Sequence, residues 1–244
     1  ALDYLREGRE GASDQPFFLD LAFQSNHTPL QAPRETIDRY RGRYDAGWET
    51  LRSERRDRAA ALGLVPAGAP MAPQAADWDA LSPDDRRHYA RRMEVYAGMA
   101  TAMDEQLGRV VAQLRATGEY ERTVFVFLSD NGAEAFTWPD GGTTMFRGEK
   151  NTQWEGGYRV PTMIKWPGVI KPGTINNDIA AHEDMLTTLV AAAGDKTAKA
   201  DLKVGRKIGD TTYKVHLDGY DLGPALKGEA AWPRREFIYW TDDG

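Results

Sequence analysis

Thr123-Val124-Phe125-Val126-Phe127-Leu128, followed at once by Ser129-Asp130-Asn131-Gly132, is the stretch on which the fold turns. An unbroken apolar run of strand length, rich in β-branched and aromatic residues, reads as a strand buried on both faces. The polar residues after it end the strand in a turn. Pro16 to Gln24 (PFFLDLAFQ) repeats the pattern and runs into the loop Ser25-Asn26-His27-Thr28-Pro29. Pro161 to Trp166 supplies a third strand, closed by Pro167-Gly168, and Glu236 to Trp240 a last one. Helical segments lie between them. Strands and helices in alternation, with strands apolar throughout, predict an α/β fold: a layered, mainly parallel sheet flanked by helices.

The longest helix is announced by its start. Ser82 stands in the capping position, Pro83 in the first turn, and Asp84 and Asp85 at the positive end of the dipole. Tyr89, Met93, Tyr96, Ala100, Met103, Leu107, Val110 and Leu114 then recur at steps of four and three, placing one apolar stripe on a helix that ends near Gly118. At 1.5 Å per residue such a helix is on the order of 50 Å long. Asp3 to Arg9 reads as helical, Pro33 to Tyr40 as a short helix, and His182 to Ala193 as a helix closed by Gly194. Asp221 to Leu226 reads as another short helix. Asp45 to Leu62 carries many arginines nearly matched by acids, the pattern of a solvated surface helix. Asp195 to Asp210 holds several lysines and no clear period, and Gly132 to Tyr158 forms a long loop.

Composition bounds the function. The 244 residues include 31 Lys+Arg against 37 Asp+Glu, a formal net charge of −6, which is not the basic footprint of a nucleic-acid binder. No apolar run approaches the roughly 20 residues of a membrane-spanning helix. With 0 Cys, thiolate metal sites and cysteine nucleophiles are excluded in this chain.

Ligands of open α/β sheets bind at the C-terminal ends of strands. Two such ends carry polar groups here: His27 after the first strand, and Asp130-Asn131 after the second. A carboxylate beside an amide carbonyl offers hard oxygen donors suited to Ca²⁺ or Mg²⁺. Lys150, in Arg147-Gly148-Glu149-Lys150, lies in the long loop that can fold back over the same rim. A cation, a lysine and a histidine converging there would suit a tetrahedral oxyanion, with His27 protonating a leaving group. By spacing alone each residue keeps an ordinary alternative: Asp-Asn-Gly as a turn, His27 as a loop histidine, Lys150 as a solvated surface lysine.

The blocks Val126-Phe127-Leu128-Ser129-Asp130-Asn131-Gly132 and Phe146-Arg147-Gly148-Glu149-Lys150-Asn151-Thr152-Gln153-Trp154-Glu155-Gly156-Gly157-Tyr158-Arg159-Val160-Pro161 resemble the C-terminal half of the catalytic domain of type I sulfatases. These are the arylsulfatase-like enzymes of the alkaline phosphatase superfamily. The resemblance continues in Asn26-His27-Thr28-Pro29, in His182-Glu183-Asp184-Met185-Leu186 and in Asp218-Gly219-Tyr220-Asp221-Leu222. It implies that Asp130 and Asn131 bind a divalent cation, usually Ca²⁺, with Mg²⁺ the alternative. It further implies that Lys150 contacts the substrate sulfate and that His27 sits near the bridging ester oxygen. The implied reaction is hydrolysis of a sulfate monoester by a metal-assisted formylglycine mechanism. A phosphonate monoester or phosphodiester hydrolase of the same superfamily is the alternative, as is a non-catalytic truncated member. The implied fold is alkaline phosphatase-like, residues 1–200 being catalytic domain and 201–244 the start of a smaller C-terminal part.

The family's formylglycine arises from the Cys or Ser of C/S-x-P-x-R, and this chain contains no such pentapeptide; Ser82-Pro83-Asp84-Asp85-Arg86 has the wrong spacing. Both ends read as cut, so the nucleophile is expected in a preceding half, and the chain alone is expected to be inactive with weak Ca²⁺ affinity. Arg147, Glu155 and Arg159 are expected to be structural ion-pair partners, and Gly156-Gly157 to serve backbone geometry. His88, His182 and His216 are assigned no role, nor is Asp242-Asp243. A small-molecule or carbohydrate sulfate ester is the expected substrate, and abundant Ca²⁺ favours the periplasm or the exterior.

Overall fold

The structure is a computed structural model that describes residues 1–11, 15–74, 76–134 and 145–240. The chain divides into two compact units, one of Ala1–Thr123, Gly132–Lys150 and Trp154–Gly157, the other of Val124–Asn131, Asn151–Gln153 and Tyr158–Gly244.

The first unit is helical: α1 (Leu2–Gly11), α2 (Arg34–Ile37) continued by a 3-10 turn at Asp38–Tyr40, α3 (Trp48–Ala61) and α4 (Pro83–Ala116). The start of α4 is as the sequence predicts. The Ser82 hydroxyl accepts from the Asp85 backbone N–H at 3.1 Å and donates to the Asp85 carboxylate at 2.6 Å. At its end Gly118 takes φ +74°, a conformation that glycine adopts without strain. The core gathers where the first turn of α3 meets the first half of α4. Trp48 is fully buried, its ring edge-on to Trp78 at 4.9 Å and to Tyr89 at 5.4 Å, with Tyr44, Leu51, Ala90 and Ala97 around it. Backbones come close at Gly98, where a Cβ would stand 2.9 Å from Ile37 Cγ1. In its first half the buried face of α4 runs through Ala90, Glu94, Ala97 and Gly98, beside the predicted stripe, whose Tyr89 and Met93 are half-buried; further on, Val110 and Leu114 of that stripe are buried as predicted.

Helix α3 is not the solvated surface helix its charges predict. Trp48 and Leu51 are enough apolar surface when they meet two other aromatic rings, and Arg52 is buried beside them. The Arg52 guanidinium donates to the Ala72 carbonyl and to Glu49, so the charge enters the interior with its donors satisfied.

In the second unit, β1 (Phe125–Leu128) pairs antiparallel with β2 (Thr162–Lys165), Phe125 opposite Lys165 and Leu128 opposite Thr162. Helices α6 (His182–Ala192), α7 (Ala198–Val204) and α8 (Gly223–Leu226) follow, with the hairpin of β3 (Arg206–Ile208) and β4 (Thr211–Tyr213) between α7 and α8. The one-turn α5 (Glu155–Tyr158), of which only Tyr158 belongs to this unit, precedes β2. Asp184, fully buried on α6, organises this unit. It accepts from Arg234 Nε and Nη2, both at 2.7 Å, from the Tyr220 backbone N–H at 2.7 Å and from the Ala181 backbone N–H at 2.9 Å. Burial pulls its carboxyl upward, but the Arg234 guanidinium and the two backbone donors outweigh that and hold it below the ordinary value of 3.8.

The expected layered, mainly parallel sheet is not formed among the described residues; both sheets are two-stranded and antiparallel. Pro16 to Gln24 is not a buried strand. No residue of the segment has strand structure, and Phe18 is 82% exposed. A strand is defined by its neighbours, and an apolar run can demand neighbours without supplying them. Glu236 to Trp240 corrects in the same way. Its side chains alternate as in a strand, Phe237 and Tyr239 packing on the Tyr158 ring while Ile238 and Trp240 face outward, yet no strand pairs with it among the described residues. Among the described residues no helix is long and apolar enough to cross a membrane.

Candidate functional site

Asp130 and Asn131 belong to the second unit, where they leave the end of β1. Asp130 is exposed and Asn131 half-buried, and Asn131 Nδ2 donates to Asp130 Oδ2 at 2.9 Å. The carbonyl of Ser129, just before them, accepts from His182 Nε2 at 2.8 Å. A carbonyl oxygen only accepts, so the hydrogen sits on Nε2, and the first residue of α6 fixes the backbone from which Asp130 departs. Sequence reading left His182 without a role, because this contact joins residues far apart in the chain.

Lys150 belongs to the first unit, in a clasp of backbone hydrogen bonds. Gly132 N–H donates to Gly157 O at 2.8 Å, Lys150 N–H to Ala133 O at 3.1 Å, and Gly156 N–H to Arg147 O at 2.7 Å. The glycines are required by space. A Cβ on Gly132 would lie 1.8 Å from Gly156 O, and one on Gly156 2.2 Å from Gly148 O. Gly156-Gly157 thus serves backbone geometry, by letting three chain segments touch. Asn151, next to Lys150, takes φ +65°, the left-handed region that Asn tolerates better than most residues. Lys150 Nζ stands 3.4 Å from Glu134 Oε1, both side chains mostly shielded. Arg147 lies with its guanidinium 3.7 Å over the Trp154 ring, a cation–π stack where an ion pair was expected.

His27, also in the first unit, is exposed. Its backbone N–H donates to Gln24 O at 2.7 Å, and its Nδ1 lies 2.9 Å from Thr28 O. With Nδ1 donating there, a neutral ring presents Nε2 outward as an acceptor. The loop is moored by Asn26, whose Nδ2 donates to the Tyr96 carbonyl on α4 at 2.9 Å. No hydrogen bond or ion pair joins His27 to Lys150. Among the described residues no group of three or more His, Cys, Asp or Glu is placed to enclose a metal ion. Asp130 and Asn131 nevertheless fit a hard divalent cation by donor chemistry: among the described residues the carboxylate has no cationic partner, and its neighbour's amide needs only to turn its oxygen inward.

A profile of the Sulfatase family matches residues 1–195. The chain belongs to the sulfatase family. It is 33% identical over 218 residues to an uncharacterized sulfatase of Schizosaccharomyces pombe, covering 73% of this chain and 39% of that protein. It is 31% identical over 217 residues to the arylsulfatase of Klebsiella aerogenes, covering 74% of this chain and 47% of the relative. The sulfatase chain therefore spans less than half the length of these curated relatives. Among solved structures it resembles Ps i-CgsB, solved in complex with k-i-k-neocarrahexaose, with a TM-score of 0.60 at 23% identity over 93% of this chain and 37% of that one. It also resembles the phosphonate monoester hydrolase of Silicibacter pomeroyi, with a TM-score of 0.57 at 24% identity over 96% of this chain and 42% of that one. These likenesses establish the fold, one of helices and small sheets, as sulfatase-like.

Proposed function

We propose that the protein of which this chain is part hydrolyses a sulfate monoester to an alcohol or phenol and sulfate. The observation that carries the reading is the clasp. It ties the Lys150 backbone N–H to the carbonyl of Ala133, two residues after Asn131 in sequence. Family membership supplies the reaction class.

Asp130 and Asn131 would hold a divalent cation, Ca²⁺ by donor chemistry with Mg²⁺ the alternative. Such an ion supplies positive charge that neutralises the sulfate oxygens and polarises the ester. Lys150 Nζ donates a hydrogen bond to a non-bridging sulfate oxygen and balances its charge. In its protonated form His27, with Nδ1–H on the Thr28 carbonyl, hands the Nε2 proton to the bridging oxygen as the alcohol departs. The nucleophile, a formylglycine in this reading, comes from a C/S-x-P-x-R segment outside these 244 residues. In the whole protein, Pro16 to Gln24 and β1 join a layered, mainly parallel sheet, which accounts for the exposed Phe18. The substrate is a small-molecule or carbohydrate sulfate ester, and the site of action the periplasm or the exterior.

A phosphonate monoester or phosphodiester hydrolase is the second reading, supported by the likeness to the Silicibacter pomeroyi enzyme. Competing 4-nitrophenyl sulfate against bis(4-nitrophenyl) phosphate on the full-length protein separates the two. Lys150→Ala and His27→Ala are each expected to lower kcat/KM for the sulfate by 10²-fold or more, about 2.7 kcal/mol of barrier. Loss of the diester activity alone would favour the second reading. A full-length protein with neither activity would leave the third, a non-catalytic family member.

A further inference from the structure

We propose that Glu134 is a specificity-determining residue that cancels the charge of Lys150, so that the site accepts singly charged tetrahedral esters and disfavours doubly charged ones. The inference deepens the proposed function and rests on Lys150 meeting the substrate oxyanion.

Lys150 is held at two points by two consecutive residues. Its backbone N–H donates to Ala133 O at 3.1 Å, and its Nζ stands 3.4 Å from Glu134 Oε1. The side chains keep only 28% and 23% of their exposure, so the pair is less screened than a surface ion pair. A lysine ammonium has three N–H donors. Glu134 stands at ion-pair rather than hydrogen-bond distance from Nζ, so it does not use up these donors. The carboxylate also leaves the pair with no net charge. An arriving anion is then attracted by the nearer ammonium and repelled, a few ångström further on, by Glu134. Attraction and repulsion both scale with the anion's charge, so Glu134 removes most of the added attraction that a lone ammonium would give a second negative charge.

Sulfate monoesters carry one negative charge, as do phosphodiesters and phosphonate monoesters. A phosphate monoester carries about −1.5 to −2 at neutral pH. The pair thus draws its line between the two substrate classes left open above, on one side, and phosphate monoesters on the other. Arg147 does not restore the missing charge by pairing with Glu134, since its guanidinium lies over Trp154.

The test is calorimetric binding of benzenesulfonate and phenylphosphonate to the full-length protein, at a pH above the second ionisation of the phosphonate. The two ligands share a shape and differ by one charge. Glu134→Gln keeps an acceptor for Nζ and removes the charge; it is expected to improve phenylphosphonate relative to benzenesulfonate about tenfold. Glu134→Asp keeps the charge and the wild-type ratio. An unchanged ratio in Glu134→Gln, or the same shift in both variants, overturns the inference while leaving the proposed function intact. Failure of the wild-type protein to bind either ligand overturns the inference together with the proposed function.

Discussion

His182 Nε2 lies 2.8 Å from the carbonyl oxygen of Ser129, the residue that precedes Asp130. The first residue of α6 therefore braces the end of β1 through the backbone, without touching either proposed metal-binding side chain. Braces of this kind act on affinity through orientation, and their loss typically costs 10–100-fold. His182→Ala in the full-length protein is expected to weaken Ca²⁺ binding, read by calorimetric titration, by about tenfold. His182→Gln, whose amide N–H can reach the same carbonyl, should recover most of that loss. A merely structural role would show instead as an equal drop in melting temperature with and without Ca²⁺, and no rescue by Gln.

The glycine clasp makes a sharper structural claim. Gly132→Ala and Gly156→Ala each force a Cβ into a backbone carbonyl oxygen, at 1.8 and 2.2 Å, where no side chain can give way. Backbone must move, and the hydrogen bonds that hold Lys150 must break with it. Each substitution is expected to cost at least about 3 kcal/mol of stability or to abolish folding, well beyond the ~1 kcal/mol of a common substitution. Gly108→Ala is the matched control. That glycine sits inside α4 with nothing within 4 Å of the added Cβ, so the change should stabilise by about 0.5–1 kcal/mol. Thermal denaturation of the three variants side by side reads both signs.

What the sequence disclosed, and what it withheld, follows from where each signal resides. Helix α4 was legible because its cap, its proline and its acidic first turn are local, and the structure ends it within two residues of the predicted glycine. β1 was legible because an apolar run of that length fits little else. Pro16 to Gln24 carried the same signal without the outcome, since pairing depends on strands elsewhere. Helix α7 and its hairpin did leave traces: Gly205 closes the helix, and Gly209-Asp210, with Gly209 at φ +58°, makes the two-residue turn between β3 and β4. Lysines interspersed with alanines hid them. Asp130, Asn131, Lys150 and His27 are proposed from motif. Glu134 and His182 were not, because the importance of each lies in one tertiary contact, which neither spacing nor composition encodes.

The Asp184–Arg234 pair gives the second unit its dependence on pH. Asp184 is fully buried and binds Arg234 through two hydrogen bonds of 2.7 Å, so its native carboxyl titrates below the ordinary value of 3.8. A group with a depressed native value binds protons more weakly folded than unfolded. Its contribution to stability is whole above the unfolded value, begins to fade as pH falls toward 3.8, and is gone only below the lower native value. Asp184→Asn should therefore flatten the acid limb of the stability curve below about pH 4 and leave the neutral-to-alkaline slope as it was. At neutral pH it also leaves a buried guanidinium with Glu183, at 3.0 Å, as its remaining counter-charge. Removing one member of a buried pair costs about 3–5 kcal/mol, and the nearby Glu183 carboxylate should place the loss at the lower end. Urea unfolding of wild type and Asp184→Asn between pH 3 and pH 8 measures both effects. Parallel curves across that range would show that the carboxylate acts by shape alone, and its charge by nothing.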